Sequence, residues 1–142
     1  MKLFVLCSAL ALASSAFADL LGWDNAYDNA SGSLNVVACS DGENGLITRF
    51  GFQTFGDIPT FPFVGGAPTI PGWNSPNCGT CFALTFANST GTHTIHFTAI
   101  DAGGADFVTG QNALNLLTNG QAAQVGVINV NATVVNATEC GL

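Results

Sequence analysis

Four cysteines remain after a predicted leader peptide is removed, and they constrain the fold more than any other feature of the chain: Cys39, Cys78, Cys81 and Cys140. A fifth, Cys7, lies in the apolar part of the leader and is lost with it. An even number of cysteines behind a secretory leader is typical of a disulfide framework in an oxidising compartment. We therefore expect two bridges, although spacing alone allows three ways of pairing four cysteines.

Residues 1–18 form the predicted signal peptide. Lys2 supplies its positive start, an apolar run follows from 3 to 12, and Ala16-Phe17-Ala18 is a small-x-small cleavage site. The apolar run is too short to span a bilayer. Removing 18 of the 142 residues leaves 124, residues 19–142, which is the size of one domain. We expect a secreted single-domain protein, extracellular or associated with a cell wall, and no membrane insertion.

The charge of the mature chain excludes two classes of partner. Nine acidic residues face a single fixed cation, Arg49, which gives a net charge of −8 once Lys2 is removed. One arginine cannot neutralise a row of phosphates, so we expect no binding to nucleic acid or to anionic membrane surfaces. Only 8% of the residues are charged and 48% are hydrophobic. One interpretation of this composition is exposed apolar surface, with association at interfaces or self-association. The other is that the apolar residues belong to the leader and to a phenylalanine-rich core.

Strand patterns dominate the mature chain. Alternating or β-branched stretches predict strands at 33–38, 82–87, 92–100 and 125–138, the last as one strand or two, with Ile128, Val130, Ala132 and Val134 on one face. Residues 88–91 have the composition of a hairpin loop. The stretch 49–76 contains all five prolines and predicts an ordered, aromatic-rich loop. Together these features indicate a small β-rich barrel or sandwich.

One helix is predicted, from Gln111 to Leu117. Thr109 is the candidate N-cap, and Asn119-Gly120 ends the helix.

Five segments, in order, resemble the cerato-platanin family of secreted fungal proteins. They are residues 23–28 (WDNAYD), 37–46 (VACSDGENGL), 55–66 (FGDIPTFPFVGG), 70–81 (IPGWNSPNCGTC) and 99–104 (AIDAGG). The resemblance covers essentially all of the mature chain. It implies a mainly-β, six-stranded double-psi β-barrel with one or two short helices and the bridges Cys39–Cys78 and Cys81–Cys140. The chain departs from the family pattern at Phe82, which is often Trp, and around Phe107-Val108-Thr109-Gly110.

The same resemblance implies a function without cofactors. Family members are associated with binding chitin-type oligosaccharides, loosening cellulosic material without clear hydrolysis, assembling at air–water interfaces and eliciting plant defence. The expected partners are therefore cell-wall polysaccharides or N-acetylglucosamine oligomers. Two other classes remain open. One is a glycan-cleaving barrel enzyme, endoglucanase-like or transglycosylase-like, that uses Asp101. The other is a film-forming structural protein, although the eight-cysteine hydrophobin pattern is absent from the sequence.

Asp101 is the candidate glycan-binding residue that the resemblance selects. It ends an apolar strand and matches the acidic groove residue of expansin-like barrels. The alternative is a carboxylate that holds the backbone amides of its own loop. Hydrolysis would need a second carboxylate about 5–9 Å away. The candidates by residue type are Asp24, Asp41, Asp57 and Asp106.

Three aromatic residues could offer a face to a sugar ring: Trp23, Tyr27 and Trp73. In a small domain, large aromatics more often belong to the core. Asp24 and Asn112 are the candidate polar neighbours. A cluster in the 49–76 stretch predicts either an exposed apolar loop or a loop pinned to the core; its members are Phe50, Phe52, Phe55, Phe61 and Phe63.

No metal site or redox centre is predicted. His93 and His96 lie three apart on a strand and therefore face opposite sides. The Cys78-Gly79-Thr80-Cys81 motif precedes a strand pattern, whereas a thioredoxin-type motif precedes a helix. N-glycosylation sequons occur at Asn29, Asn88, Asn131 and Asn136, and Asn88 in the predicted hairpin loop is the most accessible candidate.

Overall fold

The computed structural model describes residues 19–142, and the predicted signal peptide, residues 1–18, lies outside the described residues. Six strands form the core of the fold: β1 (Asp19–Trp23), β2 (Val64–Ala67), β3 (Cys81–Asn88), β4 (Gly91–Ala102), β5 (Phe107–Thr109) and β6 (Ile128–Val135). They close into a barrel in the order β1-β5-β2-β4-β3-β6. The six-stranded barrel that the family resemblance implies is confirmed.

Two parallel strand pairs interrupt an otherwise antiparallel barrel. β1 runs parallel to β5, and β2 runs parallel to β4. β3 and β4 form the predicted hairpin, in which Asn88 pairs with Gly91 across the turn. β4 is twelve residues long and pairs with β2 on one side and β3 on the other. Because β2 and β4 are parallel, the last residues of β4, Asp101 and Ala102, lie beside the end of β2 and the start of the loop that follows it.

Three short α-helices and four 3₁₀ helices connect the strands within residues 19–142. The α-helices are α1 (Leu46–Phe50), α2 (Gln111–Thr118) and α3 (Ala122–Val125), and the 3₁₀ helices span 25–28, 34–36, 55–57 and 137–140. The prediction of α2 is confirmed, but its N-cap is Gly110 rather than Thr109. Thr109 ends β5, and its buried hydroxyl donates a hydrogen bond to the carbonyl of Val64.

Two strand predictions need correction. The stretch 33–38 contains the 3₁₀ helix 34–36, because the Ser33 hydroxyl accepts a hydrogen bond from the backbone N–H of Asn35 and so favours a turn. The predicted strand 125–138 is shortened at both ends by α3 and by the 3₁₀ helix 137–140. Val130 on its predicted inner face is buried, but Val134 is 63% exposed and lines an open depression together with Thr80.

One disulfide joins two loops, and the other joins the 3₁₀ helix 137–140 to the barrel. Cys39 pairs with Cys78, and Cys81 at the start of β3 pairs with Cys140. Of the three connectivities that spacing allows, this is the one that the family resemblance implies. The pairing also means that the two cysteines of the Cys78-Gly79-Thr80-Cys81 motif have different partners.

The phenylalanine cluster is pinned to the core. Phe55 is only 2% exposed, and the other four members are partly buried against the core. Two further phenylalanines fill the barrel interior: Phe97 and Phe107 meet edge to face with ring centroids 5.8 Å apart. No helix within residues 19–142 has the length and apolarity needed to cross a bilayer.

Candidate functional site

Asp101 fastens two distant segments to the end of β4. Its Oδ1 accepts hydrogen bonds from the backbone N–H groups of Ala38, at 3.0 Å, and Ala102, at 2.9 Å. Its Oδ2 accepts one from the hydroxyl of Tyr27, at 2.9 Å. The carboxylate therefore holds an amide of its own loop, as the structural alternative expects, and also an amide 63 residues earlier in the chain.

This arrangement leaves Asp101 with spare acceptor capacity. An ionised carboxylate offers about four lone-pair directions, and three are used. The side chain is partly exposed, so the fourth direction is open to a donor from solvent or from a ligand. The geometry accommodates both roles that the sequence suggests for Asp101.

Glycines in β2 allow the strands around Asp101 to approach closely. Gly66 pairs with Asp101, and the β2–β4 register shifts between Gly65 and Gly66. A Cβ on Gly65 would lie 1.9 Å from the carbonyl oxygen of Val108, and one on Gly66 would lie 2.8 Å from that of Ala102. Bulges of this kind re-aim side chains beside sites in barrels.

Tyr27 supplies a hydroxyl to the site rather than a ring face. The residue is only 9% exposed, and its ring contacts Phe55 with centroids 6.2 Å apart. Burial first, and then the negative charge of Asp101, raises the pKa of the Tyr27 hydroxyl well above its usual value. Tyr27 therefore stays protonated and acts as a donor to Asp101.

The other predicted site residues lie around the start of α2. The indole Nε1–H of Trp23 donates to the carbonyl of Ala122 at 3.0 Å, and its ring packs against the core. The exposed Asp24 caps the 3₁₀ helix 25–28 by accepting a hydrogen bond from the N–H of Ala26. Asn112 is exposed in the first turn of α2. Of the predicted set, Tyr27 is the residue in direct hydrogen-bond contact with Asp101 within the described chain.

Sequence reasoning missed Asp28. Its Oδ1 accepts a hydrogen bond from the backbone N–H of Asn112 at 2.8 Å, which ties the segment 25–28 to the N-terminus of α2. The residue before the helix, Gly110, has to be a glycine because a Cβ at this position would lie 2.3 Å from the same Asp28 oxygen. The partners are 84 residues apart, so no local pattern could have identified this contact.

Trp73 differs from the other two aromatic candidates because it is 63% exposed. Its indole Nε1–H donates to Asp41 Oδ1 at 2.8 Å. That hydrogen bond is the main reason that the pKa of Asp41 lies below its usual value. Of the three candidate rings, Trp73 presents the most open face.

Three of the four acids that could pair with Asp101 have structural partners of their own, and the fourth, Asp106, is partly exposed just before β5. Asp24 caps a 3₁₀ helix, and Asp41 binds Trp73. Asp57 accepts hydrogen bonds from the backbone N–H groups of Gln53 and Thr54, which lower its pKa. Within residues 19–142, no three His, Cys, Asp or Glu side chains cluster as a metal site would require.

Besides a depression of about 340 Å³ beside Val127 and Asn129, two others lie away from Asp101. One, of about 270 Å³, has an apolar wall formed by Phe86, Leu117, Val125 and Ile128. The other, of about 490 Å³, lies beside both disulfides and includes Arg49, whose guanidinium donates to the carbonyl of Cys78 at 2.9 Å.

The sequon asparagines are mostly engaged through their side-chain oxygens. Asn88 and Asn136 each accept hydrogen bonds from both the N–H and the hydroxyl of the threonine two residues on. Asn29 accepts one from the N–H of Ser31. Asn29, Asn131 and Asn136 are exposed, whereas Asn88 is only partly exposed, so the prediction that Asn88 is the most accessible sequon is wrong. Their modification stays a prediction.

Residues 20–142 match the model of the cerato-platanin family. A curated relative, "Allergen Asp f 15" of Aspergillus fumigatus, is 44% identical over 120 residues, which is 84% of this chain and 75% of the relative. The crystal structure of cerato-platanin 2 from M. perniciosa superposes with a TM-score of 0.83 at 48% identity, over 87% of this chain and 98% of that one. The solution structure of the fungal elicitor cerato-platanin gives a TM-score of 0.72 at 36% identity, over 85% and 95% of the two chains.

Proposed function

The chain belongs to the cerato-platanin family, and from this premise we propose that it is a secreted protein that binds cell-wall glycans without cleaving them. The ligand class is N-acetylglucosamine oligomers or related wall polysaccharides. The site is the surface around Asp101, where a partly exposed carboxylate is already held in place by Tyr27 and Ala38. The observation that carries the proposal is this anchored acceptor in a family whose members are associated with chitin-type ligands.

The physical argument concerns pre-organisation. Sugar hydroxyls donate hydrogen bonds, and a carboxylate accepts them strongly because it is charged. A side chain that is already fixed loses little rotamer freedom when a ligand binds. Asp101 is fixed by donors from three segments of the chain. It can therefore compete with other polysaccharide chains for hydroxyl contacts, which is a non-hydrolytic route to loosening a wall.

Secretion is supported by the cysteines. All four cysteines of residues 19–142 are paired in two bridges. Such pairing is typical of proteins that fold in an oxidising compartment. A role as an elicitor of plant defence is supported by the likeness to the fungal elicitor cerato-platanin.

Association at apolar interfaces is a second proposed activity. Apart from Trp73, five large apolar side chains are exposed on the described surface: Val36, Leu116, Val125, Val127 and Val134. Charged groups are too few to surround them with a strongly hydrated shell. A surface-tension curve measured with the mature chain tests this activity, and a protein that leaves the surface tension of water unchanged would contradict it.

Binding and cleavage are separated by two measurements on one preparation. Titration calorimetry with N-acetylglucosamine tetramer should give saturable heat, and Asp101→Asn should weaken it. Asparagine keeps an oxygen for the Ala38 and Ala102 amides, so the variant tests charge without orphaning backbone donors. Incubation with chitin and cellulose oligomers should release no new reducing ends. New reducing ends that disappear in Asp101→Asn would establish the glycan-cleaving alternative.

A further inference from the structure

We propose that Trp73 and Asp41 form a second sugar-binding subsite, on which one face of a pyranose ring stacks while a hydroxyl of the same sugar bonds to the carboxylate. This inference rests on the proposed glycan-binding function and extends it from the Asp101 surface to a neighbouring loop. It identifies which of three candidate aromatics meets the sugar.

Exposure separates the three candidates. Tyr27 is buried against Phe55, and Trp23 packs on the core with its indole N–H bonded to a carbonyl. Trp73 leaves 63% of its surface in solvent. An exposed tryptophan face is the surface that the apolar C–H side of a sugar ring can cover while its hydroxyls stay at the polar edge.

The exposed ring is held rigidly. The hydrogen bond to Asp41 Oδ1 sets the orientation of the indole. Gly42, at a φ of +80°, lies close to the ring, because a Cβ there would lie 3.0 Å from Trp73 Cζ2. Asn74, which follows Trp73 in the chain, has a left-handed φ of 57°. Asn44 donates two hydrogen bonds to it, one from its backbone N–H and one from its side-chain amide. A platform fixed in this way needs little reordering when a ligand arrives.

Asp41 places an acceptor beside the ring. Its Oδ1 is bonded to Trp73 and, at 3.3 Å, to the hydroxyl of Ser40. A carboxylate has two oxygens and about four lone-pair directions, so two of those directions account for the observed contacts. Asp41 is exposed, and the hydrogen bond from Trp73 keeps the pKa of this carboxyl below its usual value. The carboxylate therefore stays charged at mildly acidic pH.

The new subsite is close to the Asp101 site along the chain. Ala38 is bonded to Asp101, and Asp41, three residues later, is bonded to Trp73. Three peptide steps reach at most about 11 Å, so the two sites lie close enough for one oligosaccharide to touch both. The Cys39–Cys78 bridge joins the loop of Asp41 to the loop of Trp73 and keeps them in register.

An anchor for apolar interfaces is the competing role for an exposed tryptophan. The hydrogen-bonded carboxylate argues against it, because Asp41 would have to lose water when the ring entered an apolar phase. A sugar, by contrast, satisfies the ring and the carboxylate together. Sugar titration and surface-tension measurements on Trp73→Ala distinguish the two roles.

Resonance mapping gives the direct readout. The chain has two tryptophans, so its ¹H–¹⁵N spectrum contains two indole N–H signals, and Trp73→Phe assigns them. Titration with N-acetylglucosamine tetramer should move the Trp73 signal progressively to saturation. A Trp73 signal that stays in place while calorimetry reports binding would overturn the subsite.

Affinity measurements supply the second readout. Trp73→Ala and Asp41→Asn should each lower the affinity for the tetramer by about tenfold. Each variant should lower the affinity for the monosaccharide by less, because one sugar cannot contact both sites at once. Leu116→Ala is the matched control, because Leu116 is 66% exposed on α2 and belongs to neither site. It should keep the affinity of the wild-type chain.

The outcomes separate this inference from the proposed function. If Asp101→Asn weakens binding and Trp73→Ala does not, the second subsite is wrong and the glycan-binding function stands. If the wild-type chain gives no heat with the tetramer, both fail. If Trp73→Ala alters surface-tension decay and leaves sugar affinity unchanged, Trp73 is an interface anchor and the proposed subsite is overturned.

Discussion

The hydroxyl of Tyr27 donates a hydrogen bond to Oδ2 of Asp101 across 2.9 Å, between residues 74 positions apart in the chain. The contact fastens the 3₁₀ helix 25–28 to the end of β4. Oδ1 of the same carboxylate holds the N–H of Ala38, so three segments meet at one side chain. Stability and binding are therefore expected to depend on the same residue pair.

Replacing Tyr27 by phenylalanine removes this contact and keeps the buried ring. A hydrogen bond to a charged group contributes about 1.5–3 kcal/mol, and partial exposure of Asp101 favours the lower end of that range. We expect Tyr27→Phe to lower the free energy of unfolding by about 1–2 kcal/mol in urea titrations. Thr94→Val is the control, because it removes a hydroxyl–hydroxyl contact with Thr85 on the exposed face of the hairpin. It should change stability by less than about 0.5 kcal/mol.

Alkaline pH should destabilise the fold through Tyr27. Its folded-state pKa is raised by burial and by the charge of Asp101, whereas an unfolded tyrosine ionises near about pH 10. A raised folded-state pKa contributes stability that is complete below the unfolded pKa and declines as the pH rises above it. The temperature at the midpoint of unfolding should therefore decrease as the pH rises above about 10, and it should decrease less in Tyr27→Phe than in the wild-type chain.

Phenolate absorbance checks the same point directly. Tyr27 is the single tyrosine of the sequence, so the signal belongs to it alone. The absorbance should rise together with unfolding. Ionisation in the folded chain at the pH of a free tyrosine would contradict the account.

The two disulfides should contribute similarly to stability and differently to binding. They close loops with sequence separations of 39 and 59, for which the chain-entropy model gives about 4 kcal/mol each. The double variant Cys39→Ser/Cys78→Ser should also lose affinity for N-acetylglucosamine tetramer, because it frees the loops that carry Asp41 and Trp73. Cys81→Ser/Cys140→Ser is the matched control, and at a temperature where both variants are folded it should keep that affinity. Equal affinities in the two variants would count against a positioning role for the Cys39–Cys78 bridge.

Gly42 should be more sensitive to substitution than other left-handed glycines. At Gly42 a Cβ would lie 2.6 Å from Asn74 Oδ1 and 3.0 Å from the Trp73 ring, whereas at Gly104, with a φ of +69°, nothing lies within 4 Å. Gly104→Ala should cost about 1 kcal/mol from backbone strain alone. Gly42→Ala should cost about 2–3 kcal/mol in thermal unfolding, because overpacking adds to that strain. Equal losses in the two variants would mean that the loop of Trp73 is not tightly packed.

Local features of the fold were predictable from the sequence because their interactions are local. The β3–β4 hairpin follows from two alternating stretches around Asn88–Gly91, and α2 follows from its apolar spacing and the Asn119-Gly120 end. The closed barrel came from family resemblance, since periodicity alone left a sandwich open. The turn at 33–38 was mistaken for a strand because the hydrogen bond from Asn35 to Ser33 outweighs the β-branched residues that follow.

The candidate site was harder to predict because its contacts are distant in the chain. Asp101 was selected as a candidate by the family resemblance, but its hydrogen bond to Ala38 spans 63 residues, and the one between Asp28 and Asn112 spans 84. Trp23 and Trp73 are the same residue type, and their different exposure is decided by tertiary packing: the carbonyl of Ala122 engages one indole N–H, and Asp41 engages the other. The difference in exposure between the two tryptophans could not be predicted from the spacing of residues in the sequence.

Backbone amide shifts test the central claim most directly. The N–H groups of Ala38 and Ala102 are bonded to Oδ1 of Asp101, so they report any change in how that carboxylate is used. Titration of the ¹⁵N-labelled mature chain with N-acetylglucosamine tetramer should move both amides to saturation, among the largest shifts in the spectrum. If the tetramer binds and both amides stay in place, the ligand does not use Asp101, and the account of this protein as a glycan binder built around that residue is contradicted.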